Sequence, residues 1–388
     1  MPIKEINHEK KIGRNVLWLG LGSFFNDIST EIILPILPMF ILSLGGSSVV
    51  VGLVAGLRQS ITDISNLFIG YWSDKTGKRK IFAGSGYLFS SICKFLLSFS
   101  KTWPIASIFA ILERVGKSLR KTPIDTIIAE SSKERIGFGF GIHRTLDTSG
   151  AIVGSLLSLI FLSFFNFSYH TIIMFSSFIG IFSLLPIIKV KDNFNSHSQK
   201  SFYIGITSFP RRLNRFFFIS GIFYLSYFSY MFFVMRVHTI FSGSESIIMP
   251  VFLYLISNIF YASFSIPLGI IADKIGHKKI IMFGYTLFGL VSISFIYAKN
   301  ITAFILLFAA YGIVQSMIEG QQRAHVSSMS IKNFEATSIG FFHTLTGTIT
   351  LLANLTAGIL WQYIRPESTF IFGGVISLFA VSLFFLMD

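Results

Sequence analysis

The sequence predicts an all-α polytopic membrane protein, with twelve transmembrane helices in two pseudo-symmetric six-helix bundles. Composition, run length and an internal repeat carry that prediction. The 388 residues are 52% hydrophobic and 13% charged, with a mean hydropathy of +0.68. Soluble domains carry about 25% charged residues, and a soluble fold of this length has no room to bury so much apolar surface. The apolar runs are continuous and about 20 residues long, the length of a membrane-crossing helix. Strands of a membrane barrel would alternate over about 10 residues, and irregular backbone cannot face lipid. The repeat is GYWSDKTGKRK at 70–80, which returns as GIIADKIGHKK at 269–279.

The spans follow in order. A polar tail, MPIKEINHEKKIGR, leads into a first span at 16–42, too long for a signal-peptide core and lacking a small-residue cleavage site. Further spans at 49–71, 80–100, 103–121, 138–164 and 168–188 complete the first set. A second set is expected at 216–237, 247–270, 280–298, 302–323, 337–362 and 368–387. The longest polar interruption, KVKDNFNSHSQKSFYIGITSFPRRLNR, separates them. The domains are therefore an N-terminal bundle at 1–188, a cytoplasmic linker at 189–215 and a C-terminal bundle at 216–388. With both termini inside, 24 of the 32 Lys and Arg residues fall in internal segments and 4 in external loops. That asymmetry sets the orientation. It also accounts for the net charge of +14 through contact with an anionic lipid surface, so no nucleic-acid partner is expected. The single cysteine, Cys93, excludes an intrachain disulfide.

Gly70 and Gly269, Asp74 and Asp273, and Gly77 and Gly276 are each 199 positions apart, and His143 and His343 are 200 apart. Spacings of half the chain point to two homologous halves, a parallel repeat known among transporters. The residues between spans 2 and 3 resemble the signature of the major facilitator superfamily, Gly-x-x-x-Asp-(Arg/Lys)-x-Gly-(Arg/Lys)-(Arg/Lys). Gly70, Asp74, Lys75, Gly77, Lys78 and Arg79 match it throughout; Gly269, Asp273, Lys274, Gly276 and Lys278 repeat it, with His277 at one basic position. Arg114 resembles the superfamily's intramembrane arginine, with Ser118 in place of the following glycine. FNDISTEIILPILP, ERVGKSLRKTP and EGQQRA look like a branch of bacterial multidrug or metabolite permeases. In span 5, Gly150 to Ser155 keeps two small residues where drug antiporters of the superfamily carry a Gly-x-x-x-Gly-Pro motif, but not the proline. The resemblance implies the twelve-helix fold and solute transport. It also implies a gate at the doubled signature, where Asp74 would latch the halves by meeting Arg135 or the start of span 11.

Ionisable residues inside a membrane cost about 2.5–3.5 kcal/mol each, so they should face a cavity or pair. Asp27 and Glu31 share a face at i and i+4 of span 1, an arrangement suited to carrying a proton, with Pro35 and Pro38 expected to distort the helix beyond them. Glu113 and Arg114 lie near the middle of span 4, and Glu113 has Lys117 as its i+4 alternative. His143, Arg144 and Asp147 open span 5, either as a proton carrier or as a gate ion pair. Arg58, Asp63 and Lys94 have no partner that the sequence can assign. Glu319 and Arg323 read as a structural pair at the inner end of span 10, and His343 is the ionisable group of span 11. The second half is poor in such charges and rich in rings, as in FFFISGIFYLSYFSYMFFVM at 216–235. Most of these rings should pack or face lipid, while Tyr224, Tyr227, Tyr230 and Asn258 are candidates to line a cavity.

The expected function is secondary active transport of a small organic solute by alternating access, coupled to protons and directed toward efflux. Uptake of a metabolite or siderophore-like solute, or uncoupled facilitation, are the alternatives. No His-Glu-x-x-His, Gly-x-Ser-x-Gly, phosphate loop or Cys/His cluster is present, so neither an enzyme nor a nucleotide-driven pump is expected, nor a cofactor or metal. The expected partners are lipid, solute and protons, and the expected setting is a monomer in a bacterial inner membrane.

Overall fold

The computed structural model describes residues 14–132, 136–191, 209–331 and 335–386, without the side chains of 67, 71, 74, 136, 137 and 335–337. The N-terminal tail, most of the linker, and the latch expected between Asp74 and Arg135 lie outside the described residues. The described chain is helical throughout. The first half holds α1 (Arg14–Ile33), α2 (Leu37–Ser43), α3 (Ser48–Thr76), α4 (Arg79–Ser98), α5 (Trp103–Ser131), α6 (Ile136–Ser163), α7 (Tyr169–Ile181) and α8 (Leu184–Ile188). The second holds α9 (Arg211–Ser226), α10 (Tyr230–Ile240), α11 (Glu245–Ile275), α12 (His277–Tyr297), α13 (Ile301–Met329), α14 (Glu335–Tyr363) and α15 (Pro366–Leu386).

Among the described residues, nine helical stretches are long and apolar enough to cross a membrane, or ten with α1 and α2 taken as one bent span. The expectation of twelve also counts α3 and α5. Both are 29 residues long, and it is their charge that keeps them out of the tally. Several helices outrun the apolar stretches by one or two turns. The apolar run marks the part that lipid can touch, whereas backbone hydrogen bonding continues into water. Thus α5 reaches Ser131, ten residues beyond the expected limit, and carries Lys121 and Asp125 within its helical body.

The two halves repeat each other. The α1·α6, α3·α5 and α4·α7 packings of the first half have counterparts in α9·α14, α11·α13 and α12·α15 of the second. Gly70 of α3 packs on Thr122 of α5, and Gly269 of α11 on Gln321 of α13. Both members of the second pair lie 199 positions after those of the first. The signature turns repeat as well. Gly77 ends α3 at φ 66° and Gly276 ends α11 at φ 98°, backbone settings that disfavour any side chain. Their amides bond to Ser73 O and Ala272 O at 3.0 and 2.8 Å.

The halves meet where α3 packs on α14 and α6 on α11. Along α3 the contact is glycine-mediated. A Cβ on Gly56 would lie 2.9 Å from Leu351 Cα, and one on Gly358 would lie 2.8 Å from Ser48 O. Gln362 Oε1 accepts from Ser48 N–H and Oγ–H, and Ser60 Oγ donates to Gly347 O at 2.5 Å. The bend between α1 and α2, 41° at Pro35, fulfils the expectation of distortion there. Pro38 has no N–H to offer Leu34 O, and the Tyr230 hydroxyl from the other half bonds to that oxygen at 3.1 Å. The second half breaks its own first helix at the corresponding place, between α9 and α10, where Asn354 Oδ1 takes the Ser229 N–H at 2.8 Å.

Because Leu351 backbone cannot yield as a side-chain tip can, Gly56→Leu should destabilise the closed α3·α14 contact by about 1–3 kcal/mol. The check is the thermal unfolding midpoint of the purified protein. A midpoint equal to wild type would mean that the glycine interlock contributes nothing.

Candidate functional site

Buried charge gathers in the first half around Glu113. Its Oε2 lies 3.3 Å from Arg58 Nη2 and 3.5 Å from Arg114 Nε, and its Oε1 accepts a 3.0 Å bond from Ser90 Oγ. Arg58 also donates to Ala110 O at 2.9 Å. These groups come from α3, α4 and α5. The last two approach closely because Gly86 and Gly116 face each other; a Cβ on either would meet the opposing carbonyl at 2.6 or 2.8 Å. Glu113 thus turns toward α3, and the alternative pair with Lys117 does not form. Lys94, fully buried, donates to Ser29 Oγ and Thr30 Oγ1 of α1, each at 2.9 Å. Thr30, Ile33, Arg58, Lys94, Leu97 and Glu113 line a small cavity between these helices. Arg58 and Lys94, partnerless in sequence, are therefore parts of one network.

A second group extends toward the end of the bundle that carries the signature turns. Asp27 Oδ1 accepts from Asn26 Nδ2 at 3.1 Å and lies 3.9 Å from Arg120 Nη2. Asp27 and Asp147 of α6 stand within hydrogen-bonding reach of each other. His143, on the same face of α6 as Asp147, turns instead to α1: its Nε2 lies 2.8 Å from Ser23 Oγ, which also bonds to Tyr87 OH. Arg120 stacks over the Tyr87 ring at 5.0 Å.

The remaining charges join the halves. Glu31 Oε2 accepts from Tyr254 OH at 2.9 Å and Asn258 Nδ2 at 3.3 Å, both on α11, and Asn258 also donates to Ser155 Oγ of α6 at 2.9 Å. Nearer the turns, Arg144 meets Asp147 at 3.4 Å and crosses to the Tyr261 hydroxyl and to Glu319 at 3.9 Å. Tyr261 OH donates to Glu319 at 2.9 Å. The side-chain pair expected between Glu319 and Arg323 does not form, because Arg323 Nε donates to the Glu319 backbone oxygen at 3.3 Å. Asp63 accepts from Gln59 at 2.8 Å and packs under Gly347 of α14. His343 faces Lys121 and Arg323.

At the turns, Arg79 Nη1 binds both oxygens of Glu130 at 2.9 and 2.8 Å. In the repeat, Asp273 lies 3.7 Å from His277, whose Nδ1 is 2.9 Å from Gln321 Oε1. Lys75, Lys78 and Lys274 are exposed, while Lys278 lies 5.5 Å from the Phe384 ring.

Residues 19–257 and 216–388 match the Major Facilitator Superfamily. The chain belongs to that superfamily. An uncharacterized MFS-type transporter of the archaeon Methanocaldococcus jannaschii is 46% identical over 379 residues, covering 97% of this chain and 95% of the relative. Among solved structures, the nucleoside transporter NupG aligns at a TM-score of 0.78 with 17% identity, over 96% of this chain and 97% of its own. A POT family transporter in complex with 5-aminolevulinic acid aligns at 0.79 with 13% identity, over 97% and 96%. At these identities the likeness is one of fold. This superfamily member is thus a membrane transporter with an MFS fold.

The charge count put Lys117, Arg120 and Lys121, at the end of the expected span 103–121, with the internal segments, whereas they belong to the interior of α5. The signal was available: Arg114, Lys117 and Lys121 recur at i, i+3 and i+7, the spacing of one helix face. The cross-half partners Tyr254 and Tyr261 carried no signal of their own.

In Glu113→Gln the buried Arg58 loses its counter-charge, and removing one member of such a pair costs about 3–5 kcal/mol. Thermal unfolding of Glu113→Gln, Arg58→Met and the double variant should show that the double loses less than the two singles combined. Strict additivity would show that the two side chains do not interact.

Proposed function

We propose that the chain is a proton-coupled secondary transporter that moves a small organic solute by alternating access. The supporting observation is Glu31: a carboxylate of the first half held by Tyr254 and Asn258 of the second, one helical turn from the Asp27–Asp147 carboxyl pair. Hydrogen bonds to a charged acceptor are about twice as strong as those to a neutral one. Protonating Glu31 therefore loosens the contact that ties the halves together, and losing the proton tightens it. That is the link between proton occupancy and rocking that coupled transport needs. Asp27 and Asp147 supply a neighbouring place for the proton.

The turn end faces the cytoplasm on this reading. Setting aside Lys117, Arg120, Lys121 and Arg323 on the inner side and Arg236, buried within α10, on the outer side changes the 24 to 4 asymmetry to 20 to 3, still one-sided. The relative in Methanocaldococcus places no constraint on a bacterial host, so the setting is a cytoplasmic membrane. One copy supplies both sides of the interface, in keeping with a monomer. The doubled signature, with Arg144 and Glu319 above it, forms the cytoplasmic gate.

Two directions follow from two walls of the interior. Tyrosines of the second half favour efflux of an amphipathic solute in exchange for protons. The basic face of α5 favours uptake of a solute together with a proton, since a proton placed on nearby carboxyls strengthens its hold on an anion.

Reconstituted vesicles containing a lumenal pH dye test the proposal. Added solutes that are transported should shift lumenal pH in wild type, with acidification for co-transport and alkalinisation for exchange. Glu31→Gln and Asp27→Asn should lose the pH response, and Glu31→Gln should retain exchange of labelled solute across the membrane. Wild-type flux indifferent to an imposed pH gradient would eliminate proton coupling.

A further inference from the structure

Within the interior read above as the transport path, the basic face of α5 has an unfilled chemical requirement. Lys117 and Lys121 lie deep in the bundle yet keep partial solvent exposure. Neither makes a hydrogen bond or ion pair among the described residues. The carboxyls around Lys117 are Asp27, Glu31, Asp63 and Asp147, and each is committed elsewhere. Asp27 is held by Asn26 and lies 3.9 Å from Arg120, Asp147 lies 3.4 Å from Arg144, Glu31 is bound to Tyr254 and Asn258, and Asp63 to Gln59. Around Lys121 stand Asp63, Asp125, Glu319 and the like-charged Arg323. Arg114 shares its one carboxylate contact, Glu113, with Arg58, and its buried Nε has no hydrogen-bond partner. A cation inside a bilayer without a counter-charge is costly, so a face of this kind is built to receive one.

The facing wall has the opposite character. Tyr224, Tyr230, Tyr254 and Tyr261 of the second half spend their hydroxyls on protein partners. These are Gln322 at 2.8 Å, Leu34 O at 3.1 Å, Glu31 at 2.9 Å and Glu319 at 2.9 Å. What they leave is ring surface: Tyr224 and Tyr227 lie edge to face with centroids 5.8 Å apart, and Tyr230 and Tyr254 tilt together at 5.0 Å. Tyr230 stands in the field of both Arg58 and Arg114, so the two walls adjoin across the interface. Such a wall offers flat apolar contact and few free donors.

We infer that the cavity takes an amphipathic organic anion, with a carboxylate or phosphate head at Arg114 and Lys117 and a flat apolar body against the tyrosines. The inference rests on the transport reading for the location of the cavity, but binding can be measured without transport.

The test uses the purified full chain in detergent and matched compounds differing in charge: indole-3-acetate, its neutral amide and tryptamine, alongside benzoate and phenyl phosphate. The readout is the ligand-dependent rise in thermal unfolding midpoint, titrated to an affinity. Indole-3-acetate should bind at least about ten-fold more tightly than its amide or tryptamine, the worth of one hydrogen bond to a charged group. Tighter binding of phenyl phosphate than benzoate identifies the head as phosphate, and the reverse as carboxylate. Lys117→Gln, which removes no hydrogen bond among the described residues, should weaken acid binding about ten-fold, measured as the ligand-dependent rise over its own unliganded midpoint. Lys117→Arg should retain binding, and Lys299→Gln in an exposed loop should change nothing. The inference is overturned if the amine or amide binds as tightly as the acid, if no acid binds, or if Lys117→Gln binds acids as wild type does. Tryptamine preference together with proton-linked flux would sink the anion and leave the transporter. Acid binding with no flux of any solute would do the reverse.

Discussion

A charged side chain in the middle of a bilayer must be met by another polar group, and the rest of this structure is arranged around that requirement. Glu113 is the case in point. Its carboxylate is met by two guanidinium groups and a hydroxyl from three helices, α3, α4 and α5. The requirement draws those helices together, and the facing glycines Gly86 and Gly116 allow the approach. It also explains why α3 and α5 are too charged to look like membrane helices while lying inside a membrane bundle. Their charges are hidden from lipid by neighbours that α4 and α1 supply.

The same rule extends across the interface between halves, where it acquires a mechanical consequence. Proline breaks α1 from α2 and leaves Leu34 O without a helical donor, and a tyrosine from the other half supplies one. Glu31 is held from the other half in the same way. These bonds are single and directional, made at the point where a rocking motion would shear them. The α3·α14 contact beside them is glycine packing with backbone close to backbone. At the turn end, by contrast, the halves meet through Arg144 and Glu319, side chains 51% and 42% exposed. Exposed ion pairs contribute at most about 1 kcal/mol. The two ends of the interface therefore differ in kind: one is dry and closely packed, the other wet and cheaply separated. The described arrangement is the one in which the cytoplasmic end, on the orientation proposed above, is the easier to open.

The fold was legible because hydropathy and a 199-residue repeat are one-dimensional properties. Lipid imposes run length, and duplication imposes spacing. Individual positions on α1 were legible too, since Asp27 and Glu31 fall on one face of an unbroken helix and Pro35 breaks it. Partner choice was not. Glu113 had Lys117 four residues away and took Arg58 from another helix instead. His143 had Asp147 and took Ser23; Glu319 had Arg323 and took Arg144. Glu113 took Arg58 because burial of that pair excludes water, where charge attraction is stronger, whereas His143 met a hydroxyl and Glu319 an exposed arginine that the packing of other helices brought within reach. Sequence spacing reports which pairs a single helix permits and carries no information about what the neighbouring helix brings. The boundary of α5 was missed for a related reason. Lys117, Arg120 and Lys121 read as the close of the span because charge normally marks its end, and here the helix carries that charge inside the bundle and continues to Ser131.

That charge sets how a proton and an anion would affect one another. Lys117 stands among four carboxyls, so its positive field is partly cancelled whenever they are ionised. Placing a proton on Glu31 or on the Asp27–Asp147 pair removes part of the cancellation and strengthens the hold on an anionic head. Linkage makes the effect reciprocal: an anion at Lys117 must favour the proton by the same factor. A cation would compete with the proton for the same carboxyls and would be expelled by it. The sign of the solute's charge thus fixes the sense of the coupling. With an anion, proton and solute enter and leave the cavity together, and an inward proton gradient drives uptake. With a cation, the two exchange.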